Sequence, residues 1–154
     1  TVSDLAHRLR MPLPTASLYL RHLNARGLIQ ARRTSKWVSY RVAGDPYHPD
    51  ADELVRALTT AFSAGIKSLD ELYRLATAFT HPRRVEIVRA LRTGSLPAHA
   101  IRARTGISRD ALSRHLRKLQ ARRFLTEQND HWRRTCPSTP MAATLLRLAC
   151  RRPV

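Results

Sequence analysis

The chain has 154 residues, room for one ordinary domain or two small ones, and a formal net charge of +17 from 28 Lys+Arg against 11 Asp+Glu. Its hydrophobic content of 43% excludes a disordered basic tail. No apolar run approaches the roughly 20 residues that span a bilayer, and no signal-peptide pattern opens the chain. The opening lacks an initiator Met, as expected of a trimmed sequence. Cys136 and Cys150 are the only cysteines. Their number and spacing predict free, buried and inert thiols in a reducing, cytoplasmic compartment rather than a disulfide framework.

The charge is unevenly placed. Residues 1–44 hold 8 bases and 1 acid, residues 45–80 hold 3 bases and 6 acids, and residues 81–154 hold 17 bases and 4 acids. Two basic blocks flanking an acidic middle fit two polyanion-binding modules joined by a connector that does not touch the polyanion. Lysine supplies only Lys36, Lys67 and Lys118. Arginine, which supplies the rest, can fork onto guanine edges and phosphates. A GC-rich genome also raises arginine use, so this bias alone is weak evidence.

In chain order, the first predicted element is a short helix over 2–10, with Leu5 and Leu9 facing inward. Met11-Pro12-Leu13-Pro14 follows as a tight connector, with Pro14 suited to a first helical position. A second helix runs over about 14–26. Ala16, Leu20 and Leu23, spaced i, i+4, i+7, form its buried stripe; Thr15, Ser17, Leu18, Tyr19 and His22 point outward. Gly27 is a plausible glycine just past its end. Two β-like runs, 28–33 and 36–42, bend at Thr34-Ser35. The acidic middle, about 50–79, carries Leu54, Leu58 and Phe62, then Leu69, Leu72, Leu75 and Phe79, at helical spacing. It predicts a helical core that holds the flanking modules or dimerises the chain.

A helix over about 82–93 comes next, then a short helix over 98–105 with Ile101 inward. Gly106-Ile107-Ser108-Arg109 is the connector, with Ser108 a good N-cap. The following helix, about 109–122, buries Leu112, Leu116 and Leu119. It exposes Arg109, Asp110, Ser113, Arg114, Arg117 and Lys118. Arg123 stands where the earlier helix has Gly27, which predicts a different helix end. Strands at 124–128 and 131–135 flank Asn129-Asp130, and a last helix over about 140–150 carries Leu145, Leu146 and Leu148.

A shift of 96 aligns the chain with itself, without a gap, over nearly thirty positions. Arg8 meets Arg104, Ser17 meets Ser113, and Leu20, Arg21 and Leu23 meet Leu116, Arg117 and Leu119. After a one-residue slip Trp37 meets Trp132. Two helices at a sharp angle followed by a basic hairpin describe a winged helix-turn-helix. The fold class is therefore mainly α with small β-hairpin wings, a tandem winged helix-turn-helix. Residues 1–44 form copy one, 45–79 a connector, and 80–154 copy two with its C-terminal helix.

Copy one, through Leu5-Ala6-His7-Arg8-Leu9, Pro14-Thr15-Ala16-Ser17-Leu18-Tyr19-Leu20, Ala25-Arg26-Gly27-Leu28-Ile29 and Trp37-Val38-Ser39-Tyr40-Arg41, resembles the ArsR (arsenical-resistance repressor) type of winged helix. Copy two resembles it through His81-Pro82-Arg83-Arg84-Val85-Glu86-Ile87-Val88-Arg89-Ala90-Leu91 and Leu112-Ser113-Arg114-His115-Leu116. MarR-like regulators share much of the pattern. The resemblance implies a bacterial, sequence-specific regulator of transcription, a repressor, whose partner is double-stranded DNA. It implies that 14–22 and 109–118 enter the major groove, while the wings at 32–36 and 128–134 reach the backbone or minor groove. The base-reading candidates are Ser108, Arg109, Ser113, Arg114 and Arg117, with Thr15, Ser17 and Tyr19 in copy one. Arg32, Arg33, Lys36, Lys118, Arg133 and Arg134 are the phosphate and wing candidates. The helices flanking the wings build the dimer in that family. Here they imply a homodimer, or a single chain that imitates one with recognition helices about 34 Å apart.

Three departures qualify the resemblance. Leu13, Leu18 and Tyr19 stand where the family usually has Gln, Arg and His, which shifts copy one toward thymine-methyl contacts. Nothing in copy one corresponds to the helix at 82–93: either it was lost upstream or the helix at about 68–79 substitutes. The metal-sensing cysteines are absent, since the matching segment reads Leu96-Pro97-Ala98-His99-Ala100-Ile101.

Other functions are weaker. No metal site is expected among the scattered histidines His7, His22, His48, His81, His99, His115 and His131. No cofactor is expected, and without a nucleophile–base pair, paired carboxylates or a phosphate-cradling glycine loop no enzyme is expected either. RNA binding, as in the tandem winged helices of the selenocysteine elongation factor, is the more serious rival. A protein-interaction or architectural scaffold, as in chromosome-segregation winged helices, fits a +17 chain poorly. Trp37 and Trp132 are read as anchors of the wing strands in preference to base-stacking groups.

Overall fold

The structure, a computed structural model, describes residues 1–35, 37–63 and 68–151. The chain divides into two compact units, Thr1–Thr59 and Thr60–Val154. The boundary falls inside the helix Pro49–Ser63, so residues 45–59 go with the first unit and the later helices with the second.

Unit 1 opens with α1 (Val2–Arg8) and α2 (Leu13–Ala25), followed by β1 (Ile29–Thr34) and β2 (Trp37–Val42). Pro12 caps α2 and Pro14 lies in its first turn, where a missing N–H costs nothing. The helix ends in a Schellman turn: Gly27 has φ +70° and donates to the Asn24 carbonyl, and Leu28 donates to that of Leu23. An added Cβ at Gly27 would sit 3.0 Å from that of His48. The hairpin runs antiparallel with Thr34 opposite Trp37. Thr34 is thus still paired, where a bend at Thr34-Ser35 was predicted, and Lys36 lies outside the described residues. The Asn24 side chain accepts from the Ala31 N–H at 3.0 Å and ties the hairpin to α2. Gly44 lets the chain pass against the backbone of Asp52 in α3 (Pro49–Ser63), where a Cβ would overlap it.

The core of unit 1 is thin. Ala6, Ala16, Leu20 and Ile29 are buried, but Leu9 is 55% and Leu23 39% exposed. Both were expected inside. The short α1 turns Ala6, rather than Leu9, onto α2. In α3 the buried face is Ala51, Val55, Ala57 and Ala61, and Phe62 is exposed. Leu54 and Leu58 lie between these residues on the helix and are half-buried, so the expected stripe faces inward except at Phe62.

Unit 2 contains α4 (Leu69–Ala76), α5 (Pro82–Ala90), β3 (Leu96–Pro97), α6 (Ala98–Thr105), α7 (Arg109–Ala121), β4 (Leu125–Gln128), β5 (His131–Arg134) and α8 (Pro140–Cys150). The strands form a three-stranded antiparallel sheet in the order β3-β5-β4. Its core is dense. Ile87 and Val88 of α5, Ile101 of α6, Leu119 of α7 and Phe124 are fully buried, and Met141 of α8 is 1% exposed. α5 packs on α6, α7 and α8 at once. On α4 only Leu75 is buried and Leu69 is 72% exposed; the helix ends before Phe79, whose ring meets Phe124 edge-on at 4.8 Å.

The end of α7 differs from expectation. Arg123 takes φ +60° and donates to the Gln120 carbonyl, while Phe124 donates to that of Leu119. This is the Gly27 turn built with an L side chain. Burial of Leu119 and Phe124 on either side of the turn offsets the ~1–2 kcal/mol that a left-handed non-glycine residue costs.

Candidate nucleic-acid interface

The helix-turn-helix of unit 2 is α6 and α7. Thr105 ends α6, Gly106 turns through φ +65°, and the buried Ile107 pins the corner. Ser108 occupies the N-cap position of α7, but its side chain makes no capping bond and is exposed. Burial of Leu112, Leu116 and Leu119 leaves Arg109, Ser113, Arg114, Arg117 and Lys118 exposed. The structure thus brings all five α7 candidates onto one helix facing solvent, with Ser108 at its head. Arg117 also donates to the Ser113 carbonyl one turn back, at 3.4 Å.

His115, between Arg114 and Leu116, turns inward. Its ring meets that of His81 with centroids 4.5 Å apart, and its Nδ1 is buried without a hydrogen-bond partner. Burial, then the neighbouring His81, Arg84, Lys118 and Arg114, hold this imidazole below its ordinary pKa. His81 caps α5, its Nδ1 accepting from the Arg83 N–H at 3.2 Å.

The wing of unit 2 is β4–β5, closed by Asn129 and Asp130, both at positive φ. That is the two-residue turn that matches the strand twist. Arg133 is exposed on β5. Arg134 is not available in the same way: it donates to the Arg92 carbonyl at 3.1 Å and to Cys150 Sγ at 3.0 Å. Trp132 is 7% exposed, anchored opposite both Leu96 and Glu127. Trp37 of unit 1 is 59% exposed, contrary to the shared anchoring role expected. Among the described residues its strand pairs with β1 alone.

Other arginines of unit 2 serve helix ends, a use the sequence reading missed. Arg84, 6% exposed, donates to the carbonyls of Thr77 and Ala78 at the end of α4. Arg122 donates to the Arg74 carbonyl of the same helix at 3.1 Å, and Arg104 donates to Ala90 at the end of α5. Arg89 donates to the Ala149 carbonyl at the end of α8. Guanidinium groups at carbonyl-rich helix ends satisfy orphan acceptors and oppose the negative end of the dipole. These pairs lie 6 to 60 residues apart in the chain, so no local spacing announced them.

On α2 of unit 1, Leu18 and Tyr19 are 43% and 54% exposed, while Thr15 and Ser17, expected outward, are half-buried. Arg32 and Arg33 of β1 are exposed, and Arg33 donates to the Ser35 carbonyl at 3.3 Å. Cys136, expected buried, is exposed and Cys150 is intermediate; both are free. Among the described residues no cluster of three or more His, Cys, Asp or Glu could hold a metal, and no helix is long and apolar enough to cross a membrane.

Between α6, α7 and the wing lies a groove of about 490 Å³, lined in part by His99 and Arg102 of α6 and Arg109 and Arg117 of α7. Arg102 had not been singled out from the sequence, and His99 had been read only as one of the scattered histidines.

Residues 81–127 match the family model described as bacterial regulatory protein, arsR family. No curated protein and no solved structure matches the chain. The segment from α5 into β4 therefore carries an ArsR-like helix-turn-helix, and regulators of that family bind double-stranded DNA.

Proposed function

We propose that the protein is a sequence-specific double-stranded-DNA-binding regulator of transcription, a repressor, in which α7 is the principal reading helix. The observation that carries this reading is the exposed Arg109-Ser113-Arg114-Arg117-Lys118 face on a helix-turn-helix within the family match. Arg109 and Arg114 are the base readers, because arginine can fork onto guanine O6 and N7. Lys118 and Arg133 meet phosphates. Unit 1, with the same order of two helices and a hairpin, acts as a second winged helix whose Leu18 and Tyr19 face suits thymine methyl groups. Its Arg32 and Arg33 meet the backbone. Residues 45–79 then connect the two readers, and the tandem arrangement stands in for a homodimer.

Selection of bound sequences from a random duplex library tests this. Enrichment of one motif, with affinity falling steeply as salt rises, is the expected result. A palindrome supports the pseudo-dimer; an asymmetric motif supports two different half-sites. An affinity indifferent to salt, or an RNA hairpin that outcompetes the selected duplex, overturns the reading.

A further inference from the structure

We propose that the groove between α6, α7 and the wing of unit 2 binds a planar aromatic carboxylate, and that this ligand releases DNA by occupying the reading face itself. The second half of the proposal rests on the DNA-reading role of α7; the first does not.

The groove has the character of a small-molecule site. Its volume, about 490 Å³, falls within the roughly 300–1,000 Å³ range of pockets that take small ligands. Its accessible lining is mostly apolar, with Ala98, Leu112, Leu116 and Trp132 contributing to the wall. A phosphodiester backbone makes no use of such a wall, whereas a flat hydrocarbon ring removes it from water. Three guanidinium groups, of Arg102, Arg109 and Arg117, line the groove against one carboxylate, Glu127. That balance selects an anion. Arg102 and Arg109 also differ from the helix-capping arginines: among the described residues neither guanidinium has a hydrogen-bond or ion-pair partner. Their donors are open to a carboxylate, which arginine can bind through two parallel bonds.

The link to regulation is geometric. Arg109, Ser113 and Arg117 belong both to the groove and to the exposed face of α7. A ligand that holds Arg109 and Arg117 takes them from the duplex, so the two occupants exclude each other without a conformational change.

The Trp37→Phe protein leaves Trp132 as the sole indole, so its N–H gives one resonance in a ¹H–¹⁵N spectrum of the full chain. The probe is 2-naphthoate, with 2-naphthamide and acetate as controls. Naphthoate is expected to shift the Trp132 resonance saturably, the controls to leave it in place, and Arg102→Gln to weaken naphthoate at least fivefold. At constant ionic strength, saturating naphthoate is expected to raise the Kd for the selected duplex at least tenfold. No saturable shift, or an equal shift with the amide, overturns the site. A saturable shift with the duplex affinity unchanged overturns the exclusion. A protein that binds no duplex even without naphthoate refutes the DNA reading instead, and the resonance titration still decides the groove.

Discussion

The two units carry one pattern and bury it differently. Leu119 and Phe124 of unit 2 are fully buried, and Ile107 is 3% exposed. Their repeat partners in unit 1 are Leu23, which is 39% exposed, and Leu28 and Met11, which are half-buried. The backbone nevertheless takes the same course: a short helix, a 13-residue helix, a Schellman turn and a hairpin. Local chemistry therefore suffices for the helix-turn-helix path, but its inner face becomes a core only under a further layer. In unit 2, α5 and α8 are that layer. In unit 1 the added helix is α3, and Leu23 stays 39% exposed.

Leucine truncation tests the comparison most severely. Leu119→Ala is expected to cost ~2–5 kcal/mol, as a fully packed leucine does. Leu23→Ala should stay within about 0.5 kcal/mol, as surface changes do. Amide exchange protection in α7 and in α2 reads the two units separately. Equal losses would mean that the outer face of Leu23 is a packed one.

The reading faces should differ next. Arg114→Ala is expected to cost ~1–3 kcal/mol against the selected duplex and to relax one base position. Leu18→Ala, its repeat partner, should cost a methyl contact and less energy. Fluorescence anisotropy with matched and single-mismatch duplexes measures both. A larger loss at Leu18 would reverse the assignment of the principal reader.

The helix ends give a smaller, opposite-signed pair. Arg123→Gly should stabilise unit 2 by about 1 kcal/mol, since glycine takes φ +60° without strain. Gly27→Ala should destabilise unit 1 by at least that much, because the new Cβ also crowds His48 and Asp45. Urea titrations of the two variants check the signs.

The smallest expected effect is confined to acid pH. Unit 1 has Tyr19 at the position that His115 holds in unit 2. The folded state keeps His115 neutral below its ordinary pKa, through burial first and then the nearby His81, Arg84, Lys118 and Arg114. The unfolded chain takes up that proton near pH 6.5. It therefore binds more protons than the fold below that pH, and stability falls as pH drops from about 6.5 toward the depressed folded value. His115→Gln should flatten this dependence in denaturation midpoints of α7; an unchanged slope would assign the acid loss to other groups.

Much of the architecture was legible in the residues alone. The 96-residue repeat, the Leu112-Leu116-Leu119 stripe, the Asn129-Asp130 turn and the outward arginines of α7 all rest on short-range rules of period, cap and turn, which operate within a few residues. The tertiary structure decided which apolar stripes became core. Burial of Leu119 and exposure of Leu23 depend on whether α5 lies across them, and no local pattern carries that information. It also decided the use of the arginines. Arg84, Arg104, Arg122 and Arg134 look like interface charge in the sequence, yet they spend their donors on carbonyls and a sulfur brought near by folding, whereas Arg102 and Arg109 do not. A net charge counts guanidinium groups; only the packed chain determines which of them still face a polyanion.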